Sequence, residues 1–267
     1  MTQRTASISP FANIRGSSIA LLPFLPAGYP TMEATLASIR AIDQVAATRR
    51  IGAIEIGFPF SDPIADGPVI QEAFNVALNA GITAQKIFDA IATLGLIKTP
   101  MVAMVSYSIV FRFGVDRFLS EAKRAGFSGI LIPDLPPPEA QEVCERVKQV
   151  GLDTVLLVAP TTPLARRKLI AELCSGFVYY LAVSGVTGDR KDLPADIAAN
   201  LAEIQAASPV PVCVGFGVSK LEHMKQLQGK ADGAIVGTAV VRVMREHSGE
   251  SPDVIAQHVA AFCRELV

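Results

Sequence analysis

The feature that most constrains this chain is a repeated alternation of short apolar runs with longer amphipathic stretches. The runs that read as strands are IALLPF (19–24), AIEIG (53–57), MVAMVS (101–106), GILIP (129–133), TVLLVA (154–159), FVYYLAV (177–183), VCVGF (212–216) and GAIVG (233–237). Each is brief, aliphatic or β-branched, and apolar on both faces, which is the pattern of a parallel strand covered on both sides. Between them lie helical patterns such as TMEATLASIRAIDQVA, VDRFLSEAKRAG, PPEAQEVCERVKQVG and PLARRKLIAELCSG, with Gly126, Gly151 and Gly176 as helix stops. Eight βα units in 267 residues predict an α/β fold, a single-domain (β/α)8 TIM barrel over 1–267 with a short N-terminal helical extension. A doubly wound open sheet is the alternative, but no G-x-G-x-x-G follows the first strand to support it.

Composition removes several function classes. The formal net charge is -1 and no Lys/Arg run of five or more occurs, so the electrostatic footprint of a nucleic-acid binder is missing. The doublets Arg49-Arg50 and Arg166-Arg167 read as solvated helix faces. Cys144, Cys174, Cys213 and Cys263 are scattered, with no C-x-x-C, and read as buried free thiols of a reducing compartment. Arg4 and Arg15 precede the apolar stretch SIALLPFLPAGYP, but Pro23 and Pro26 interrupt it, so it reads as a first strand and not as a targeting segment. No segment approaches the ~20 apolar residues of a membrane span. A soluble, cytoplasmic protein is expected.

In a barrel, chemistry belongs to the loops at the carboxyl ends of the strands. SGVTGDR follows the sixth strand, GFGVS the seventh, and GTAVV the eighth, where a helix begins. Glycine permits close backbone approach to an anion, and helix N-termini carry partial positive charge. Gly188, Gly217, Gly237 and Thr238, with Thr187 nearby, therefore form a candidate anion cradle. Glycines that merely make tight turns are the plainer alternative, and three such loops at adjacent strand ends argue against it. No G-x-x-x-x-G-K-[ST] occurs, so a small phosphorylated molecule fits better than a nucleoside triphosphate.

Other catalytic groups are missing from the loop end. His223, His247 and His258 all fall on the C-terminal helices, where surface histidine is the simplest reading. Ser-His-Asp and Cys-His chemistry, the 2-His-1-carboxylate iron site and zinc hydrolase sites are thereby removed, and no metal is expected. No lysine lies in a predicted strand, so a Schiff-base nucleophile is lacking; Lys191 in the sixth loop is the nearest. Carboxylates remain. Glu55 lies within the second strand, Asp62 and Asp66 in the loop beyond it, and Asp134 after the fourth. A charge in an apolar barrel is costly, so Glu55 either finds a buried cation, caps the barrel mouth, or takes the raised pKa of a general acid/base. Pro59, Pro63 and Pro68 restrict this loop, and Gly57 and Gly67 offer hinges, so it also reads as a lid.

IEIGFPFSDPIADGP, residues 54–68, resembles the signature of the tryptophan synthase α-subunit family at essentially every defining position. LPFLPAGYP, IPDLPPPEA, GVTG and GFGVS resemble that family's first, fourth, sixth and seventh strand ends, so the similarity covers almost the whole chain. The resemblance implies cleavage of indole-3-glycerol phosphate to indole and glyceraldehyde 3-phosphate. It gives Glu55 the acid/base role and Asp66 the stabilisation of charge at the indole nitrogen. Tyr179, Thr187, Gly188, Gly217, Gly237 and Thr238 are implied to bind substrate, with Thr238 standing where serine is common. Asp62, Pro63, Phe111 and Asp134 are expected at the lid or the partner surface. A β subunit carrying pyridoxal phosphate is the implied partner, in an α2β2 complex, with no cofactor in this chain. The chain departs from the family where Ser106 and Ser108 replace a tyrosine and an asparagine, and where Ala182 replaces a frequent serine. Three other readings remain: a regulatory phosphate-binding barrel, a self-sufficient indole-releasing lyase, and a different phosphate-binding barrel enzyme.

Overall fold

The apolar runs become eight parallel strands in the computed structural model, which describes residues 9–63, 66–135, 137–182, 197–215 and 217–267. The first half runs β1 (Ala20–Pro26), α1 (Met32–Ala46), β2 (Ile54–Gly57), α2 (Pro68–Asn79), α3 (Ala84–Ala92), β3 (Met101–Met104), α4 (Tyr107–Phe113), α5 (Val115–Ala125) and β4 (Gly129–Leu131). The second continues α6 (Pro137–Gln149), β5 (Asp153–Val158), α7 (Leu164–Leu173), β6 (Phe177–Leu181), α8 (Ile197–Ala207), β7 (Val212–Gly215) and α9 (Leu221–Leu227). It ends with β8 (Gly233–Val236), α10 (Thr238–Glu246) and α11 (Pro252–Leu266). Each strand pairs with the next in parallel, and β8 returns to β1, so the sheet closes into a (β/α)8 barrel without an edge. No helix among the described residues is long and apolar enough to cross a membrane.

Local chemistry sets the ends of these elements. The Thr31 and Thr83 hydroxyls accept hydrogen bonds from the Ala34 and Lys86 amides and start α1 and α3. Gly126, at φ 97°, closes α5 in the left-handed conformation that suits glycine, and Gly151 takes φ 76° after α6. The third apolar run stops at Met104 because Ser106 caps a further short helix, α4, accepting from the Ser108 amide.

Two apolar layers hold the barrel. An inner cluster contains Leu22, Ala53, Val102, Leu131, Val155, Phe177, Cys213 and Ile235, sealed from below by Phe11 and Ile14 of the 3₁₀ turn Pro10–Ile14. Phe11 is fully buried and meets Phe177 edge-on, with ring centroids 5.6 Å apart. The second, larger layer lies between the strands and the surrounding helices.

Three sequence readings change here. Gly176 is no helix stop: α7 already ends at Leu173 with an extended Cys174, and a Cβ on Gly176 would lie 3.1 Å from the Phe11 ring. Its absence of side chain seats the plug. Arg167 is not a solvated residue but is 9% exposed, donating to the Thr162 and Pro160 carbonyls, to Asn200 and to Glu203 at 2.7 Å. Arg50 is half-buried and donates to the carbonyls of Ser18, Asn13 and Ile14, fastening the plug segment to the barrel.

Candidate active site

Strand register decides where Glu55 points. Glu55 stands opposite Phe24 of β1 and Val102 of β3, and Val102 belongs to the inner cluster. Side chains alternate across a strand, so Glu55 shares the inward face with Ala53, one step nearer the carboxyl end. The same counting places Tyr179 of β6 inward, opposite Cys213 of β7. Glycine makes room for the rings on these strands. A Cβ on Gly57 would run into the Phe24 ring, so packing requires this glycine. A Cβ on Gly215 would lie 2.7 Å from the Tyr179 hydroxyl oxygen.

Electrostatics then separate the two carboxyls. Glu55 is 5% exposed, and its Oε1 has no hydrogen-bond partner among the described residues. Burial, with a smaller contribution from the Asp66 charge, pushes its pKa up to about 8. Asp66, 7% exposed, is pushed by burial up to about 6. At pH 7 the first therefore holds its proton and the second has largely lost it. Carboxyls set apart in this way can serve as an acid and a negatively charged acceptor within one site. The buried Tyr179 phenol is raised well above its ordinary value, first by burial and then by Glu55, Asp66 and Cys213, so it stays neutral. The four described cysteines are free and buried, and burial pushes Cys144 up to about 11 and Cys174 and Cys263 up to about 12.

Asp66 is held by its backbone. Its amide donates to the Pro63 carbonyl at 3.0 Å, and Gln71 of α2 donates to the Asp66 carbonyl at 2.8 Å and to that of Pro63 at 3.4 Å. Sequence reading missed Gln71; its place one turn into the helix that follows the acidic loop was the available signal. Asp62 is exposed and accepts from the Ser61 hydroxyl at 2.7 Å, apart from the buried pair. Asp134 is also exposed, but it is a tie between loops: its carboxylate accepts from the Ser106 hydroxyl at 2.6 Å and the Tyr107 amide at 2.7 Å. The departure at Ser106 thus acquires a structural use. Phe111 of α4 is 69% exposed.

On the glycine side, Gly217 adopts φ 66° just after β7, and Gly237 stands at the N-cap of α10 without a side chain to occupy the first amides. Thr238, the first helical residue, is buried. Thr187 and Gly188 lie outside the described residues. His223 corrects the expectation of a surface histidine: it is 6% exposed, and its Nδ1 accepts from the Ser219 amide at 3.3 Å, bracing the turn that contains Gly217.

Comparison with known proteins shows the family of the chain. The family model for the tryptophan synthase alpha chain matches residues 11–267. The tryptophan synthase alpha chain of Rhodopirellula baltica is 40% identical over 270 residues, covering 96% of this chain and 95% of its own. That of Methanocaldococcus jannaschii is 40% identical over 234 residues, covering 87% and 82%. Among solved structures, the Pyrococcus furiosus tryptophan synthase alpha subunit superposes with TM-score 0.83 at 37% identity, covering 92% of this chain and 97% of that one. A chain of the Pyrococcus furiosus tryptophan synthase complex gives the same score, identity and coverage. With a family match over almost its whole length and relatives at this identity, the chain belongs to the tryptophan synthase alpha chain family.

Proposed function

We propose that Glu55 and Asp66 carry the lyase reaction of this family, the retro-aldol cleavage of indole-3-glycerol phosphate to indole and glyceraldehyde 3-phosphate in tryptophan biosynthesis. The observation that carries the assignment is the buried Glu55 carboxyl on the inward face of β2, its pKa raised by burial and by the Asp66 charge.

A retro-aldol step needs an electron sink, and the substrate's own ring supplies one. Glu55 delivers its proton to indole C3, which makes the ring an iminium-like acceptor. The resulting carboxylate takes the proton of the neighbouring glycerol hydroxyl. The C–O bond becomes a carbonyl, the C–C bond breaks, and its electron pair restores the indole ring. Glu55 ends as it began, protonated. Asp66 accepts a hydrogen bond from the ring N–H as positive charge grows there, an interaction stronger in the transition state than in the ground state. Burial keeps water from screening both groups.

Gly217, Gly237 and Thr238, with Thr187 and Gly188, hold the substrate phosphate, supported by the uncapped start of α10. Tyr179 lies against the reacting carbons. No cofactor is needed in this chain; pyridoxal phosphate serves the β subunit, which receives indole within an α2β2 assembly in the cytoplasm. The segments bearing Asp62, Pro63, Phe111 and Asp134 follow β2, β3 and β4 at the same mouth, and the exposed Phe111 ring of α4 is the contact such a partner would cover. Indole release by the pure protein, with and without a β subunit, tests the reading. Slow release that rises with the partner is expected. Absence of indole in both arms, with phosphate ligand still bound, would overturn it in favour of a regulatory barrel.

A further inference from the structure

The histidines set aside on sequence grounds are not all solitary. His247 and His258 stack face to face, with ring centroids 3.5 Å apart and planes 5° from parallel. Glu250 completes the group, its Oε1 3.0 Å from His247 Nδ1. One donor atom from each of these three side chains lies within 4.8 Å of the others. The group joins two helices. His247 ends α10, Glu250 sits in the turn that follows, with its amide donating to the His247 carbonyl at 2.9 Å, and His258 projects from α11. It is remote from the lyase chemistry. Since α10 starts at Thr238 by the barrel mouth and rises 1.5 Å per residue, His247 stands roughly 13 Å further along its axis.

We propose that His247, Glu250 and His258 form a binding site for one divalent transition-metal cation, of the zinc, nickel or copper class. Two imidazoles and a carboxylate are the donor set that those ions prefer, whereas magnesium and calcium take oxygen ligands. Three protein ligands leave a fourth position for water in a tetrahedral site. Nitrogen ligands about 2.0–2.1 Å from an ion stand about 3.3 Å apart in a tetrahedron, closer than the present outer limit of this group. Glu250 and His258 are exposed, so their side chains can turn inward without disturbing the core. His247 is half-buried at the end of α10, so the two exposed donors adjust around it. An ion there ties α10 to α11, and α11 is the helix that packs along α1. Its role is a staple in the outer layer, separate from catalysis.

The test uses tag-free full-length protein stripped with a chelator. Calorimetric titration with zinc chloride should show one equivalent bound saturably, and zinc should raise the melting temperature. His258→Ala should weaken binding by at least about tenfold, as loss of even an outer-shell partner does, and abolish the thermal shift. With copper(II), electron paramagnetic resonance should show coupling to two imidazole nitrogens in the wild type and to one in His258→Ala. Indole release should be unchanged in that variant, which certifies its fold. Failure of the wild type to bind one equivalent, or equal affinity in His258→Ala, would overturn the proposal.

Discussion

Replacing Glu55 with glutamine separates what the carboxyl does for chemistry from what it costs the fold. The Glu55 pKa stands at about 8 against an ordinary 4.5, so the folded protein holds that proton more tightly than the unfolded chain does. Stability therefore falls as pH rises through that window, by about 1.4 kcal/mol per unit, and levels off above it. Between pH 5 and pH 8 the wild type should lose about 4 kcal/mol on this account alone. Glutamine has no proton to lose and escapes the loss. It does bury an amide where Oε1 already lacks a partner, a penalty of about 1–3 kcal/mol that does not change with pH. Glu55→Gln should thus be close to or below wild-type stability at pH 5 and more stable above pH 8, with almost no turnover at either. Urea unfolding of both proteins across that range, read by circular dichroism, measures the crossing. Parallel stability curves would refute the reasoning, because they would mean that Glu55 titrates like an exposed carboxyl.

Other outcomes follow from the same geometry. Indole release by the wild type, as kcat/KM, should follow a bell with limbs near pH 6 and pH 8, since it needs Asp66 ionised and Glu55 protonated. Asp66→Asn should cut kcat by roughly 10²–10³, flatten the acid limb and leave phosphate binding in place, as inhibition by a phosphate analogue would report. Gly215→Ala places a methyl 2.7 Å from the Tyr179 hydroxyl, so kcat should fall while unfolding changes by no more than about 1–3 kcal/mol. Phe11→Ala, at the opposite end of the barrel, should cost about 3–5 kcal/mol in urea unfolding and leave kcat near its original value, because it opens the plug and not the mouth.

What the sequence discloses depends on the range of the interaction involved. Strands covered on both faces write themselves as continuous apolar runs, so all eight were legible, as was the barrel they imply. Glu55 was legible because a single acid interrupts such a run, and the period of two then fixes its direction. The misreadings share a cause. Gly176 resembles a helix stop until Phe11, from the far end of the chain, is seen against it. Arg167 resembles a surface doublet until Glu203 and two carbonyls close around its guanidinium. His223 and Gln71 act on backbone groups in loops, and nothing in residue type announces a side chain that holds another segment's amide or carbonyl. The third run overshoots β3 by Val105 and Ser106 because Ser106, the cap of α4, is also a plausible strand terminus.

The placement of the two carboxyls answers a problem of pH. The proposed reaction needs a proton donor and a negatively charged acceptor in one pocket at neutral pH, and two exposed carboxyls would both be ionised there. A strand position puts Glu55 where burial, helped by the Asp66 charge, raises it to about 8. A loop position tethered by Gln71 leaves Asp66 slightly less enclosed, and its pKa stops short of 7. The Asp66 charge also acts on its neighbour, since ionised Asp66 helps to keep the proton on Glu55. Neutralising Asp66 should therefore lower the pKa of Glu55 as well as remove the ring-nitrogen contact, so the basic limb of the Asp66→Asn profile should move to lower pH. A basic limb that stayed in place would show that burial, without the neighbouring charge, is enough to hold the catalytic proton.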